Sequence, residues 1–183
     1  MGNPATRKRS PPPERVILGL DPGVAIVGYA VIREAGGALA LLACDVIRTP
    51  PRIPLEDRLL SIYEQTCQLL AAHQPGEVAI EDLFFGKNRT TAMAVAHSRG
   101  VLMLAARQYG LAVAAYTPSQ VKLAVTGYGS AEKGQVGRMV RELLNLSRIP
   151  RPDDAADAAA VAICHAHTTA WRTQLRQINK STR

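Results

Sequence analysis

The chain has 183 residues, enough for one domain with a full hydrophobic core. Its 47% hydrophobic and 20% charged residues exclude global disorder, a coiled coil and a low-complexity chain. The net charge of +7 sits at the ends: residues 1–15 carry a net +3 and residues 171–183 a net +4, while 16–170 hold fourteen cations and fourteen anions.

Basic ends of this kind suit nucleic acid or another anionic surface, or serve solubility alone. No apolar run is long enough to cross a membrane, and residues 1–13 lack the apolar stretch of a secretory signal. Cys44, Cys67 and Cys164 are widely spaced and form no CxxC pair, which predicts reduced thiols in a cytoplasmic protein.

In chain order, residues 1–14 read as a basic flexible extension ending in a proline run. Residues 15–20 are a short apolar run and predict a buried strand, closed by the turn Asp21-Pro22-Gly23. Val24 to Ile32 and Leu39 to Ile47 predict two more strands, which with short connections make an antiparallel meander. A helical stripe runs from Leu55 to Ala72, and Val78-Ala79-Ile80 predicts a fourth strand ending at Glu81. Ala92 to Tyr109 is helical, Leu111 to Tyr116 is a fifth strand, and Pro118 opens a helix through Val125. The glycine-rich segment Gly127-Tyr128-Gly129-Ser130 precedes a helix over Ala131 to Leu146. Asp153 then caps a last helix running to about Thr169, followed by a basic tail over 171–183. Single strands alternating with helices imply parallel pairing in the second half. The expected fold is α/β, a mixed five-stranded sheet over residues 15–170 with helices on both faces.

Asp21 and Glu81 end strands, and Asp154 and Asp157 share one face at the start of the last helix. Each has an ordinary reading as a turn acid, a solvated loop acid or a first-turn helix acid. Together they are three separate segments, each offering an acid at the end of an apolar element. If they converge, their repulsion needs a hard divalent cation, and an all-oxygen set selects Mg²⁺ or Mn²⁺ over zinc. Two such ions suit phosphoryl transfer, and with a basic chain this suggests a metal-dependent nuclease. Lys122 and Lys133 are candidates for the phosphate, or plain surface lysines. Phe84 and Phe85 stand beside Lys87, Asn88 and Arg89, a pattern suited to base stacking or a wedge in DNA, or to a hydrophobic staple under the next helix. Cys164-His165-Ala166-His167 lacks a second Cys/His cluster and reads as a helix C-terminus with partly exposed histidines rather than a zinc site.

These segments resemble the RuvC family of bacterial Holliday-junction resolvases. The resemblance is carried by Ile17-Leu18-Gly19-Leu20-Asp21-Pro22-Gly23 with Gly28-Tyr29, by Ala79-Ile80-Glu81-Asp82-Leu83-Phe84 and by Gly86-Lys87-Asn88. Gln120-Val121-Lys122, Gly129-Ser130-Ala131-Glu132-Lys133 and Asp154-Ala155-Ala156-Asp157-Ala158 complete it, in family order over about residues 16–167. It implies a ribonuclease-H-like fold and a two-fold homodimer. It implies Asp21, Glu81, Asp154 and Asp157 as catalytic metal-binding acids holding two ions per site, Lys122 and Lys133 near the phosphate, and Phe84 at the junction base. It also implies paired symmetric nicks in strands of like polarity at a four-way junction, leaving 5′-phosphate and 3′-hydroxyl ends, with RuvA and RuvB as partners. The chain departs from the family pattern in its long extension and at Val27, where a polar residue is common. Competing readings are a sugar kinase, for which the chain is too short, a ribonuclease-H-like nuclease acting on RNA, and a non-catalytic module for branched DNA.

Overall fold

A computed structural model describes residues 14–82 and 89–181. Strand β1 (Arg15–Asp21) pairs antiparallel with β2 (Ile26–Ala35), which pairs antiparallel with β3 (Ala38–Arg48). Gly36 and Gly37 turn the β2–β3 hairpin with φ of 61° and 89°, a two-residue loop whose left-handed backbone matches the strand twist. Strands β4 (Glu77–Glu81) and β5 (Val113–Tyr116) add in parallel on the other side of β1, giving the order β3-β2-β1-β4-β5. The expected meander and parallel pair are both present.

Side chains alternate across the central strands, so the sheet buries two cores. Leu18, Leu20, Val31, Val78 and Ile80 face α1 (Leu55–His73) and α2 (Arg89–Gln108), meeting Ile62, Leu70 and Leu102. Ile17, Ala30, Ile32 and Ala79 face α3 (Pro118–Thr126), α4 (Lys133–Leu143) and α5 (Asp153–Ser181). Val27 is fully buried in the first core.

The second core has an unusual closeness. A Cβ on Gly19 would lie 2.3 Å from the Ala158 carbonyl oxygen, and one on Gly28 would lie 2.0 Å from that of Asp154. Two glycines on the sheet and a run of alanines on α5 let backbone rest on backbone. The start of α5 is thereby pressed onto the β1–β2 pair.

Three expectations are corrected. Helix α5 continues past Thr169 to Ser181, so Arg172, Arg176 and Lys180 lie on helix. Helix α4 is shorter than Ala131 to Leu146. It starts after Glu132, whose N–H donates to Gln135 Oε1 at 2.9 Å, and it ends where Asn145 turns left-handed at φ 51°. His165 is not partly exposed at a helix end but 6% exposed in mid-helix. Its Nδ1 lies 2.8 Å from Tyr116 Oη and its Nε2 2.6 Å from Glu77 Oε2. Arg15 continues this chain to Glu77 at 3.3 Å and to Glu34 at 2.9 Å, and reaches the Ala166 carbonyl at 3.4 Å. His167 is exposed, with Nδ1 3.1 Å from the Ala124 carbonyl. Among the described residues, no helix is long and apolar enough to cross a membrane.

Candidate active site

Parallel pairing of β1 with β4 sets their C-terminal ends side by side, and those ends are Asp21 and Glu81. Register places Gly28 opposite Asp21, and the missing side chain of Gly28 admits the Asp154 backbone against it. One helical turn later Asp157 follows on the same face. Three elements thus bring four carboxyl groups to one end of the sheet, as their positions at element ends suggested.

Their electrostatics report the crowding. The Asp21 carboxyl is pushed up to about 8, first by burial and then by the charges of Glu81, Asp157 and Asp154, with Lys133 opposing. Glu81 is also raised, by burial and then by Asp157, while a hydrogen bond from Asp21 and the charges of Lys133 and Lys122 work the other way. Burial raises Asp157 too, against its hydrogen bond with Lys133. Asp82, the next residue after Glu81, has a different part. It pairs with Arg99 at 3.1 Å and its N–H donates to the Tyr116 carbonyl at 2.8 Å, which fixes the strand end.

Both candidate lysines arrive at the same place. Lys133 Nζ lies 2.8 Å from Asp157 Oδ2 and 3.9 Å from Asp153 Oδ2. Lys122, Lys133, Glu81 and Asp157 line one cavity of about 220 Å³ together with Val121 and Val136. Asp153 does not act as a simple cap. It pairs with Arg151 and stands in the first turn of α5. Phe84, Phe85, Lys87 and Asn88 lie outside the described residues, and Arg89 is the first residue of α2.

The donor set fits a hard divalent cation. It is all oxygen, its members raise one another's proton affinity, and Lys133 is the cation now set against Asp157. Among the described residues, no three His, Cys, Asp or Glu side chains already form a closed metal cage.

Sequence reasoning missed the contacts that hold this geometry. Gly19 and Gly28 were visible within motifs, but nothing local showed that α5 would touch them. The Tyr116–His165–Glu77–Arg15 chain joins four distant segments, and the one available signal was a histidine in an otherwise apolar helical stripe.

Comparison with known proteins places this arrangement. Residues 17–165 match the family described as "Crossover junction endodeoxyribonuclease RuvC". The protein of that name from Pelotomaculum thermopropionicum is 48% identical over 161 residues, covering 88% of this chain and 98% of the relative. The one from Heliobacterium modesticaldum is 52% identical, covering 88% and 99%. A solved structure, "T. thermophilus RuvC in complex with Holliday junction substrate", is 36% identical with a TM-score of 0.83, covering 87% of this chain and 97% of that one. The yeast mitochondrial Holliday junction resolvase Ydc2, at 15% identity and a TM-score of 0.60, shares the ribonuclease-H-like fold. The sheet order, the clustered acids and this likeness along nearly the whole chain agree: the chain belongs to the RuvC family of crossover junction endodeoxyribonucleases.

Proposed function

We propose that the chain resolves four-way DNA junctions by metal-dependent phosphodiester hydrolysis at Asp21, Glu81, Asp154 and Asp157. The observation that carries this reading is the meeting of these four acids with Lys122 and Lys133 beside one cavity. The acids would hold two Mg²⁺ or Mn²⁺ ions. When bound, such ions supply an activated water and stabilise the departing oxygen. The protein's own groups do the rest. The carboxylates fix the ions, and the two ammonium groups are placed to hold the scissile phosphate and oppose the charge that grows on it. Phe84, Lys87, Asn88 and Arg89, directly after Glu81, are assigned to the junction itself. The products are paired nicks with 5′-phosphate and 3′-hydroxyl ends.

A two-fold homodimer suits a substrate with two-fold symmetry, because two identical sites then cut both strands in one encounter. An exposed stripe on α2 supports it: Met93 and Leu104 are 59% and 56% exposed, and Gly100 between them has open space where a side chain would stand. The basic segments 1–14 and 171–183 flank the nuclease domain and add affinity for DNA of any sequence. The reading places the protein in the cytoplasm, with its three free cysteines and with RuvA and RuvB as partners.

The test is a synthetic four-way junction with a mobile core, labelled in turn on each strand, in Mg²⁺ and in Mn²⁺. Paired, symmetric, ligatable nicks are expected. Asp154→Asn should abolish them and leave junction binding intact. Tight binding with no cuts in either ion, or indiscriminate cutting of linear DNA or RNA, would refute the reading.

A further inference from the structure

A second cavity, of about 270 Å³, is lined by residues of α4 that do not line the first. Thr126, Tyr128, Ala131, Gln135, Arg138 and Met139 line it. We propose that it is a second DNA contact, which takes one sugar–phosphate unit of a duplex arm leaving the cleavage site. The deoxyribose packs on the Tyr128 ring and its phosphate pairs with Arg138. The proposal rests on the junction-binding reading above and extends it beyond the catalytic centre.

Tyr128 is the first reason. At 63% exposed it is the most open of the large apolar side chains among the described residues. Yet the turn that presents it is fixed. Gly127 is left-handed at φ 76°, the Tyr128 N–H donates to Thr126 Oγ1 at 3.1 Å, and Thr126 Oγ1 lies 2.8 Å from the Lys122 carbonyl. Gly129 is held as closely, since a Cβ there would lie 2.9 Å from Ser119 Oγ. An aromatic ring exposed on a pre-ordered turn binds without the ordering cost of a free loop tip.

Arg138 is the second. Among the described residues it forms no ion pair. Its Nη1 lies 3.6 Å from the position of a Gly134 Cβ, so the guanidinium folds back toward the N-terminal end of α4, where Lys133 stands. An unpaired guanidinium beside an exposed ring favours a phosphate joined to an apolar sugar.

Continuity is the third. Lys133 and Val136 line the catalytic cavity, while Gln135, Arg138 and Met139 line this one. Helix α4 contributes side chains to both.

The experiment measures metal-free junction binding with a single neutral methylphosphonate walked along the cleaved strand. The parent should lose about 3- to 10-fold in affinity at one position away from the scissile phosphate. Arg138→Ala should bind the unmodified junction that much more weakly, lose nothing further at that position, and show a salt dependence shallower by about one ion. Tyr128→Ala should weaken binding similarly, and Tyr128→Phe should restore it. All three variants should melt as the parent does. An Arg138→Ala variant that still responds at every position as the parent does, or a Tyr128→Ala variant that binds like the parent, would overturn the proposal. A parent that fails to bind the junction at all would overturn the junction reading first, and this site with it.

Discussion

Gly28 and Asp154 meet where no side chain fits: a Cβ on the glycine would sit 2.0 Å from the aspartate's carbonyl oxygen. The contact is between backbones, so neither side can yield by changing rotamer. Gly28→Ala should push the first turn of α5 off the sheet and carry Asp154 and Asp157 with it. Overpacking of this kind costs about 1–3 kcal/mol in stability. A displacement near 1 Å at a catalytic group costs about 100-fold in rate. Single-turnover cleavage beside a urea melt checks both, and an Ala variant that cuts at the parent rate would disprove the seam's role.

The Asp21 carboxyl, at about 8 in the folded protein, stands above its ordinary 3.8. Between those values the fold holds this proton more firmly than the unfolded chain does. The stability that results is complete below the ordinary value and is lost as pH rises through about 8. Glu81 and Asp157 are raised in the same direction. Metal-free protein should therefore melt at a lower temperature at about pH 9 than at about pH 5, and Asp21→Asn should flatten that slope. Divalent ion should raise the melting temperature more at the higher pH. An Asn variant with the parent's slope would count against the carboxyl cluster as its source.

Lys133 lies 2.8 Å from Asp157, but its side chain is 61% exposed. An exposed pair contributes only about 0–1 kcal/mol to stability. Lys133→Ala should therefore leave the urea midpoint nearly unchanged. Its effect on cutting should be large, about 100- to 1,000-fold, as for other groups that oppose charge in a transition state. A variant that unfolds early yet cuts normally would reverse this assignment.

His165 should behave in the opposite way. It bridges Tyr116 and Glu77 in the core. Removing one member leaves buried polar groups unmatched, at about 1–3 kcal/mol. His165→Ala should lower the urea midpoint while cutting persists at temperatures below the melt. His167→Ala, on the exposed side of the same helix, should change neither the urea midpoint nor cutting. Equal effects of the two substitutions would mean that the buried chain adds nothing.

Much of the architecture was legible because each element carried its own periodicity. Residues 15–20 had to be a buried strand, and strands alternating with helices had to be parallel. The acids were legible too, because each stood at the end of an apolar element. Where reasoning failed, the cause was a contact between segments far apart in sequence. The last helix was expected to stop near Thr169 with His165 partly exposed, yet Glu77 and Tyr116 cover that histidine from 88 and 49 residues away. Asn145 ended α4 early by a left-handed turn that helical periodicity does not encode.

Arg15 fastens the amino-terminal end of the first strand. Glu14, one residue earlier, contributes a loose exposed pairing with Arg33 at 3.9 Å. Arg15 instead ties the first strand to β2 through Glu34, to β4 through Glu77 and to α5 through the Ala166 carbonyl. A protease that trims the chain up to this arginine spares all three of these ties. One that takes a single residue more removes all three ties together.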